Sequence, residues 1–149
     1  GRFHAGNTTS YIENCYVSGD ISATKGGWVG GIVGNMDSGT LNIKNCVAWS
    51  NTLLNNSNQA KIGRIVGGHN NNVTAETANA TYENCYAYDG MILKAGETIF
   101  TVSDETSPSG SSFQGVAKSA NELKNTVINW DSSLWKEGGN GYPVFKWSK

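Results

Sequence analysis

Three segments of this chain superimpose on one another through an Asn-Cys pair without a gap: YIENCYVSGDI from Tyr11, NIKNCVAWSNT from Asn42 and TYENCYAYDGM from Thr81. A second motif recurs between them, VGGIVGN at Val29 to Asn35 and IGRIVGGHN at Ile62 to Asn70. FHAGN at Phe3 to Asn7 matches the tail of a further copy. Internal repetition constrains a fold strongly, because one short unit cannot cover its own apolar face and must lean on its neighbours. The cysteines stand 31 and 39 residues apart, and the length differences fall in the polar stretches Asn55 to Lys61 and Asn70 to Asn79. Turns between stacked units tolerate such insertions.

Each aligned position suits a stacked arrangement. Three residues before the Cys stand Ile12, Ile43 and Tyr82, and two after it stand Val17, Ala48 and Ala87. With Cys15, Cys46 and Cys85 themselves, these are small or apolar positions for a narrow interior. Asn14, Asn45 and Asn84 precede the cysteines. A bend there resets the strand alternation, and in-register amides can hydrogen-bond from one layer to the next. Glu13, Lys44 and Glu83 form an acid–base–acid column, favourable at the roughly 4.8 Å spacing of paired strands. The glycines of the second motif leave room for close backbone approach, while Ile32, Val33, Ile65 and Val66 supply β-branched bulk.

The composition agrees with turn-rich β structure. Charged residues make up 15% of the chain, against roughly 25% in an average soluble protein, and glycine is abundant at 19 residues. The net charge of −1 and the lack of a Lys/Arg stripe give no support for nucleic acid or an anionic membrane as partner. No apolar run approaches the ~18 residues of a membrane span. Gly1 has no Met before it, so the chain reads as an excised piece, and a missing signal peptide says nothing about location. Three cysteines without C-x-x-C or Cys/His spacing argue against a disulfide framework and a zinc site.

The expected fold is therefore all-β: a short parallel β-solenoid of about three coils, right-handed as parallel crossovers commonly are, with a C-terminal Trp-rich cap. Residues 1–95 carry the repeats and residues 96–149 the cap, within one structural domain. In the second part, Glu97 to Ser103 reads as a strand and Asp104 to Gly115 as a polar loop. Ser119 with Glu122 forms a capping box that opens a short helix over Ala120 to Asn125. Trp130, Leu134, Trp135, Tyr142, Val144, Phe145 and Trp147 then follow; such density suits a lid over the last coil better than an aromatic binding platform.

No constellation of residues supports catalysis. His4 and His69 read as solvated turn residues, and three cysteines at one repeat position read as stacked buried thiols. Glu13 and Glu83 are separated by Lys44, which favours surface ion pairing over a glycosidase pair. The Gly-rich motifs have neither nucleotide-loop nor calcium-repeat spacing. Asp20, Asp37 and Asp89 suit turn capping rather than a metal, and no cofactor is expected. One surface feature stands out. Residues one and three beyond each Cys point away from the interior, which places Tyr16, Trp49, Tyr86 and Tyr88 on one face. Flat aromatic faces bind sugar rings and proteins, unless a cap or flanking domain covers them.

The alternation of N-C-Y segments (Asn14 to Tyr16) with G-G-I-V-G segments (Gly30 to Gly34) resembles the GLUG-motif repeats of bacterial surface proteins. The ending WDSSLWKEGGNGYPVFKW is similar to the Trp-rich termini of large exported proteins from gut Bacteroidetes. The resemblance covers Tyr11 to Leu93 and Trp130 to Trp147. Val47 and Arg64 depart from it, where an aromatic residue and a second glycine are usual. It implies an extracellular or cell-surface, adhesin-like, non-enzymatic role with a glycan or host protein as partner, and supplies no catalytic residues. A stalk or spacer, or an accessory module of a larger secreted hydrolase or peptidase, is the alternative.

Overall fold

The computed structural model describes residues 2–25, 27–56, 61–68, 80–100 and 114–149. Each repeat unit supplies one strand to each of several sheets. The first unit contributes β1 (Arg2–Glu13), β2 (Tyr16–Ser18), β3 (Ile21–Ala23) and β4 (Val29–Gly30). The second contributes β5 (Asn35–Lys44), β6 (Val47–Trp49), β7 (Thr52–Asn55) and β8 (Ile62–Gly63). The third contributes β9 (Ala80–Glu83), β10 (Tyr86–Tyr88) and β11 (Ile92–Ala95). Then follow β12 (Thr98–Phe100), β13 (Val116–Lys118), α1 (Ala120–Trp130), β14 (Trp135–Glu137) and β15 (Pro143–Phe145).

The expectation of a single parallel solenoid of about three coils is corrected by this topology. The strands sort into separate sheets: β1-β5-β9, β2-β6-β10-β13, β3-β7-β11-β12, β4-β8 and β14-β15. No closed solenoid is present among the described residues. Pairing is mostly parallel, but β11–β12 and β14–β15 are antiparallel. The backbone explains the separation. Asn14, Asn45 and Asn84 have φ of 55°, 51° and 51°, a left-handed conformation that turns the chain from one sheet into the next at every Asn-Cys pair. Gly96, at φ 56°, then turns β12 back along β11, so the third sheet ends in a hairpin.

Register within the sheets follows the sequence alignment. Ile12 pairs with Ile43 and Ile43 with Tyr82, while Lys44 sits between Glu13 and Glu83. Val17, Ala48 and Ala87 form one row of the second sheet. Lys44 Nζ lies 2.9 Å from Glu83 Oε1, and that carboxylate holds the Lys44 pKa above its ordinary value. Both partners are well exposed, so the pair fixes register more than it stabilises.

Burial divides into three clusters. The main one joins Val33, Met36, Leu41, Ile43, Cys46, Ala48, Ile65, Val66, Cys85 and Ala87. A second gathers Val29, Leu53, Ile62 and Leu93 under the third sheet. The third lies on the opposite face of the second sheet, where Val47 and Trp49 meet Leu123 and Val127 of α1. The central strand β6 is therefore buried on both faces, although its sheet is short.

Three C-terminal features differ from the sequence expectation. The helix begins at Ser119 with both halves of the capping box in place, but it continues to Trp130 rather than ending at Asn125. Leu123, Val127 and Trp130 fall on one face at i, i+4 and i+7, and their burial extends the helix. Val116–Lys118 adds a fourth strand to the second sheet, paired with β10. Of the strand expected over Glu97 to Ser103, residues 98–100 are β12, and 101–103 lie outside the described residues, as does most of the polar loop.

Candidate binding cleft

The Asn-Cys pairs are structural corners. Asn45 Nδ2 donates to Asn14 Oδ1 at 3.1 Å, and Asn84 Nδ2 donates to Asn45 Oδ1 at 3.2 Å. Asn suits the position twice over: it tolerates the left-handed backbone, and its amide carries both a donor and an acceptor. Each Cys closes the corner by directing its Sγ to the carbonyl two residues back, Glu13 for Cys15, Lys44 for Cys46 and Glu83 for Cys85. The backbone ladder runs on beside them, Val47 N to Cys15 O and Tyr86 N to Cys46 O, each at 2.9 Å. Burial, with Cys46 alongside, raises the pKa of Cys15; hydrogen bonding to Cys85, reinforced by burial, raises that of Cys46. Neither is poised as a thiolate nucleophile.

On the other face of these strands lie Tyr16, Trp49, Tyr86 and Tyr88, gathered in one aromatic row. The cap covers much of it. Trp49 is 5% exposed, its ring 4.6 Å from that of Tyr142 and 6.4 Å from that of Tyr88. Tyr16 meets Trp135 edge-on at 6.3 Å, and Lys118 Nζ sits 4.3 Å above the Tyr86 ring. Trp49 is thus a core residue of the junction between repeats and cap, and Tyr16 is half-buried beside it. An open platform built from the whole row is not what the chain presents.

Part of the row remains accessible. Between β6, β10, the first turn of α1 and the β14–β15 turn lies a half-open cleft of about 390 Å³. Half-buried Tyr88 and Tyr142 form its aromatic wall, with the buried Trp49 beside them, and Asn51, Asn121 and Asn140 its polar rim. Lys124 also borders it, but its ammonium is held 3.0 Å from Glu137 Oε1. Asn140 Oδ1 accepts from the Tyr142 amide at 3.2 Å, which sets the turn and the Tyr142 ring.

A second groove, of about 570 Å³, opens at the first-unit edge of the sheets. Ile12, Cys15, Val17 and Ile32 line one side, Trp135 and Phe145 the other. Cys15 is half-buried there, whereas Cys46 and Cys85 are fully buried one and two layers in. Phe145 and Trp147 stack at 4.4 Å beside this groove and remain 38% and 67% exposed.

Asp20 Oδ1 accepts from the Thr52 amide at 2.9 Å, which is turn capping between units. Among the described residues no group of His, Cys, Asp and Glu could hold a metal ion. No helix among them is long and apolar enough to cross a membrane. His4 is exposed, but on the strand β1 rather than in the turn expected for it, while His69 lies outside the described residues.

Two structural residues escaped the sequence reading. Arg64, a departure from the glycine of the motif, is 3% exposed and donates to the carbonyls of Gln114 and Gly115 at 3.0 and 2.9 Å. It ties the β8 turn to the strand that leads into the cap. Asn55, fully buried, donates to Gly27 O at 2.7 Å. A charged or amide residue interrupting an apolar repeat was the available signal for both.

No family model matches the chain, and no curated protein does; the likeness to GLUG repeats rests on the quoted residues alone. A solved structure from Bacteroides ovatus, described as a "putative immunoglobulin A1 protease", superimposes with a TM-score of 0.78 at 50% sequence identity. The match covers 93% of this chain but 39% of that one, so the chain is similar to well under half of a longer protein.

Proposed function

We propose that the chain is a non-enzymatic module of a longer exported bacterial protein, in which it packs against a neighbouring part and holds it in place. The observation that carries this reading is the apolar groove of about 570 Å³ at the first-unit edge of the sheets. Among the described residues β1, β2 and β3 are edge strands there, and exposed Phe145 and Trp147 stack beside the groove. An open edge next to exposed aromatics invites a covering segment. Similarity to 39% of a longer protein agrees with that arrangement.

The Bacteroides ovatus protein is described as a protease; in a peptidase, this chain would be accessory. Neither cleft brings a Ser or Cys beside a His or carboxylate: the larger has Cys15 and Ser148 without a base, the smaller has no such nucleophile. The test is to recover the natural gene product by mass spectrometry from cell-surface and culture fractions, and to assay the isolated chain on peptide and glycoside substrates. An exported product well beyond 149 residues, with an inert isolated chain, is the expected result. A free intracellular chain of this length, or turnover by it, overturns the reading.

A further inference from the structure

The smaller cleft has a chemistry that the placement of a module does not use. It combines an aromatic wall, a rim of amides, and no unpaired charge among its lining residues. Trp49 and Tyr142 are fixed against each other at 4.6 Å with their planes 47° apart, and Tyr88 flanks Trp49. Asn51 and Asn121 are exposed, and neither side chain has a hydrogen-bond partner among the described residues. The Asn140 side-chain carbonyl accepts from the Tyr142 amide, a bond that does not use its NH2. Lys124 is neutralised by Glu137.

We propose that this cleft binds a neutral carbohydrate, one or two sugar rings in length. A pyranose has an apolar C–H face and a periphery of hydroxyls that both donate and accept. An aromatic wall matches the first, and carboxamides match the second because each offers both functions. The volume, about 390 Å³, lies at the lower end of small-ligand sites. A peptide fits less well, since no free strand edge lines the cleft and no unpaired charge would anchor a terminus. No Asp, Glu or His lines it, so the paired carboxylates of glycoside hydrolysis are missing and the sugar is held, not cut.

The site is assembled by the fold from distant segments. Trp49 and Asn51 come from the second repeat unit, Tyr88 from the third, Asn121 from the start of α1, and Asn140 and Tyr142 from the last turn. Seating the cap on the repeats therefore creates the site, and the cap that hides Tyr16 also supplies half of the cleft.

Titration of the intact 15N-labelled protein with neutral mono- and disaccharides, followed by NMR, tests the proposal; a sulfated sugar and an acidic peptide serve as counter-probes. Saturable shifts of the side-chain NH2 signals of Asn51, Asn121 and Asn140 are expected with at least one neutral sugar. Asn51→Ala and Asn121→Ala, both at exposed positions, should each weaken binding about tenfold with unchanged melting temperature. Tyr88→Ala should weaken it further. The proposal is overturned by the absence of saturable shifts up to concentrations on the order of 10 mM. Shifts mapping outside the cleft, a preference for either counter-probe, or full affinity in both Asn variants would overturn it equally. None of these outcomes bears on whether the chain belongs to a longer exported protein, which is read from the gene product.

Discussion

The repeat region and the cap are stabilised by different means, although they share strand β6. In the repeats, order comes from the backbone: parallel pairing, left-handed Asn corners, and side-chain amides that follow the ladder from layer to layer. The side chains are small where the layers meet, as at Ala48, Ala87, Cys46 and Cys85. In the cap, order comes from large side chains. Leu123 and Val127 press on Val47 and Trp49, and rings from Tyr16 to Phe145 meet edge-on or stacked. A repeat thus supplies register through its backbone, while a unique surface has to be built from residues outside the repeat.

The largest effect should come from crowding the repeats. A Cβ at Gly31 would lie 2.5 Å from Arg64 O and 2.6 Å from the Ala48 Cβ, so backbone must move. Gly31→Ala should cost about 3 kcal/mol, read as a lowered denaturant midpoint for the whole chain. A cost below about 0.5 kcal/mol would mean that the layers are looser than described. Leu123→Ala removes a fully buried cap side chain and should cost about 2–3 kcal/mol. Here the comparison sharpens: amide exchange should accelerate in α1 and β14–β15 before it does in β5–β7. Uniform acceleration would show that cap and repeats unfold as one unit.

Asn45 sits in the middle of the amide ladder, bonded on both sides. Asn45→Ala loses two hydrogen bonds and is strained at φ 51°, for about 2 kcal/mol. Asn45→Gly relieves the strain and should recover roughly half of that. Equal losses in the two variants would assign the whole effect to the amides. The smallest effect is expected at the charge column. Lys44→Gln removes the exposed pair with Glu83 and should leave the melting temperature within measurement error in about 0.15 M salt. A clear drop would make the column a structural element in its own right.

Much of the repeat region was legible before the structure, and the reason lies in its periodicity. Aligning Cys15, Cys46 and Cys85 orders Ile12–Ile43–Tyr82 and Val17–Ala48–Ala87 into rows, and those are the pairs that form. Strand alternation likewise put Tyr16, Trp49, Tyr86 and Tyr88 opposite the cysteines. The helix start was legible from Ser119 and Glu122, since a capping box is a local interaction. Its end was not, because Val127 and Trp130 are helical by virtue of what they bury against. β13 escaped notice for a related reason: Gly115 occupies the position of the Cys, and the strand is recruited by the open edge of β10 rather than by a motif. The cleft was invisible as a unit, since Asn121 and Asn140 carry no signal until α1 docks on β6, and Tyr142 read only as part of the lid.

The repeat register, the corners at Asn14, Asn45 and Asn84, and the alternation that sends the large rings to one side follow from the order of residues alone. These are short-range matters, settled by backbone preference and by the two-residue period of a strand. Long-range packing set the rest: the division of the strands into separate sheets, the bonds from Arg64 to the loop before β13, and a cap that covers much of the aromatic row and leaves a cleft at its margin. Each of those depends on contacts between residues far apart in the chain, where packing and the satisfaction of buried polar groups outweigh any local preference.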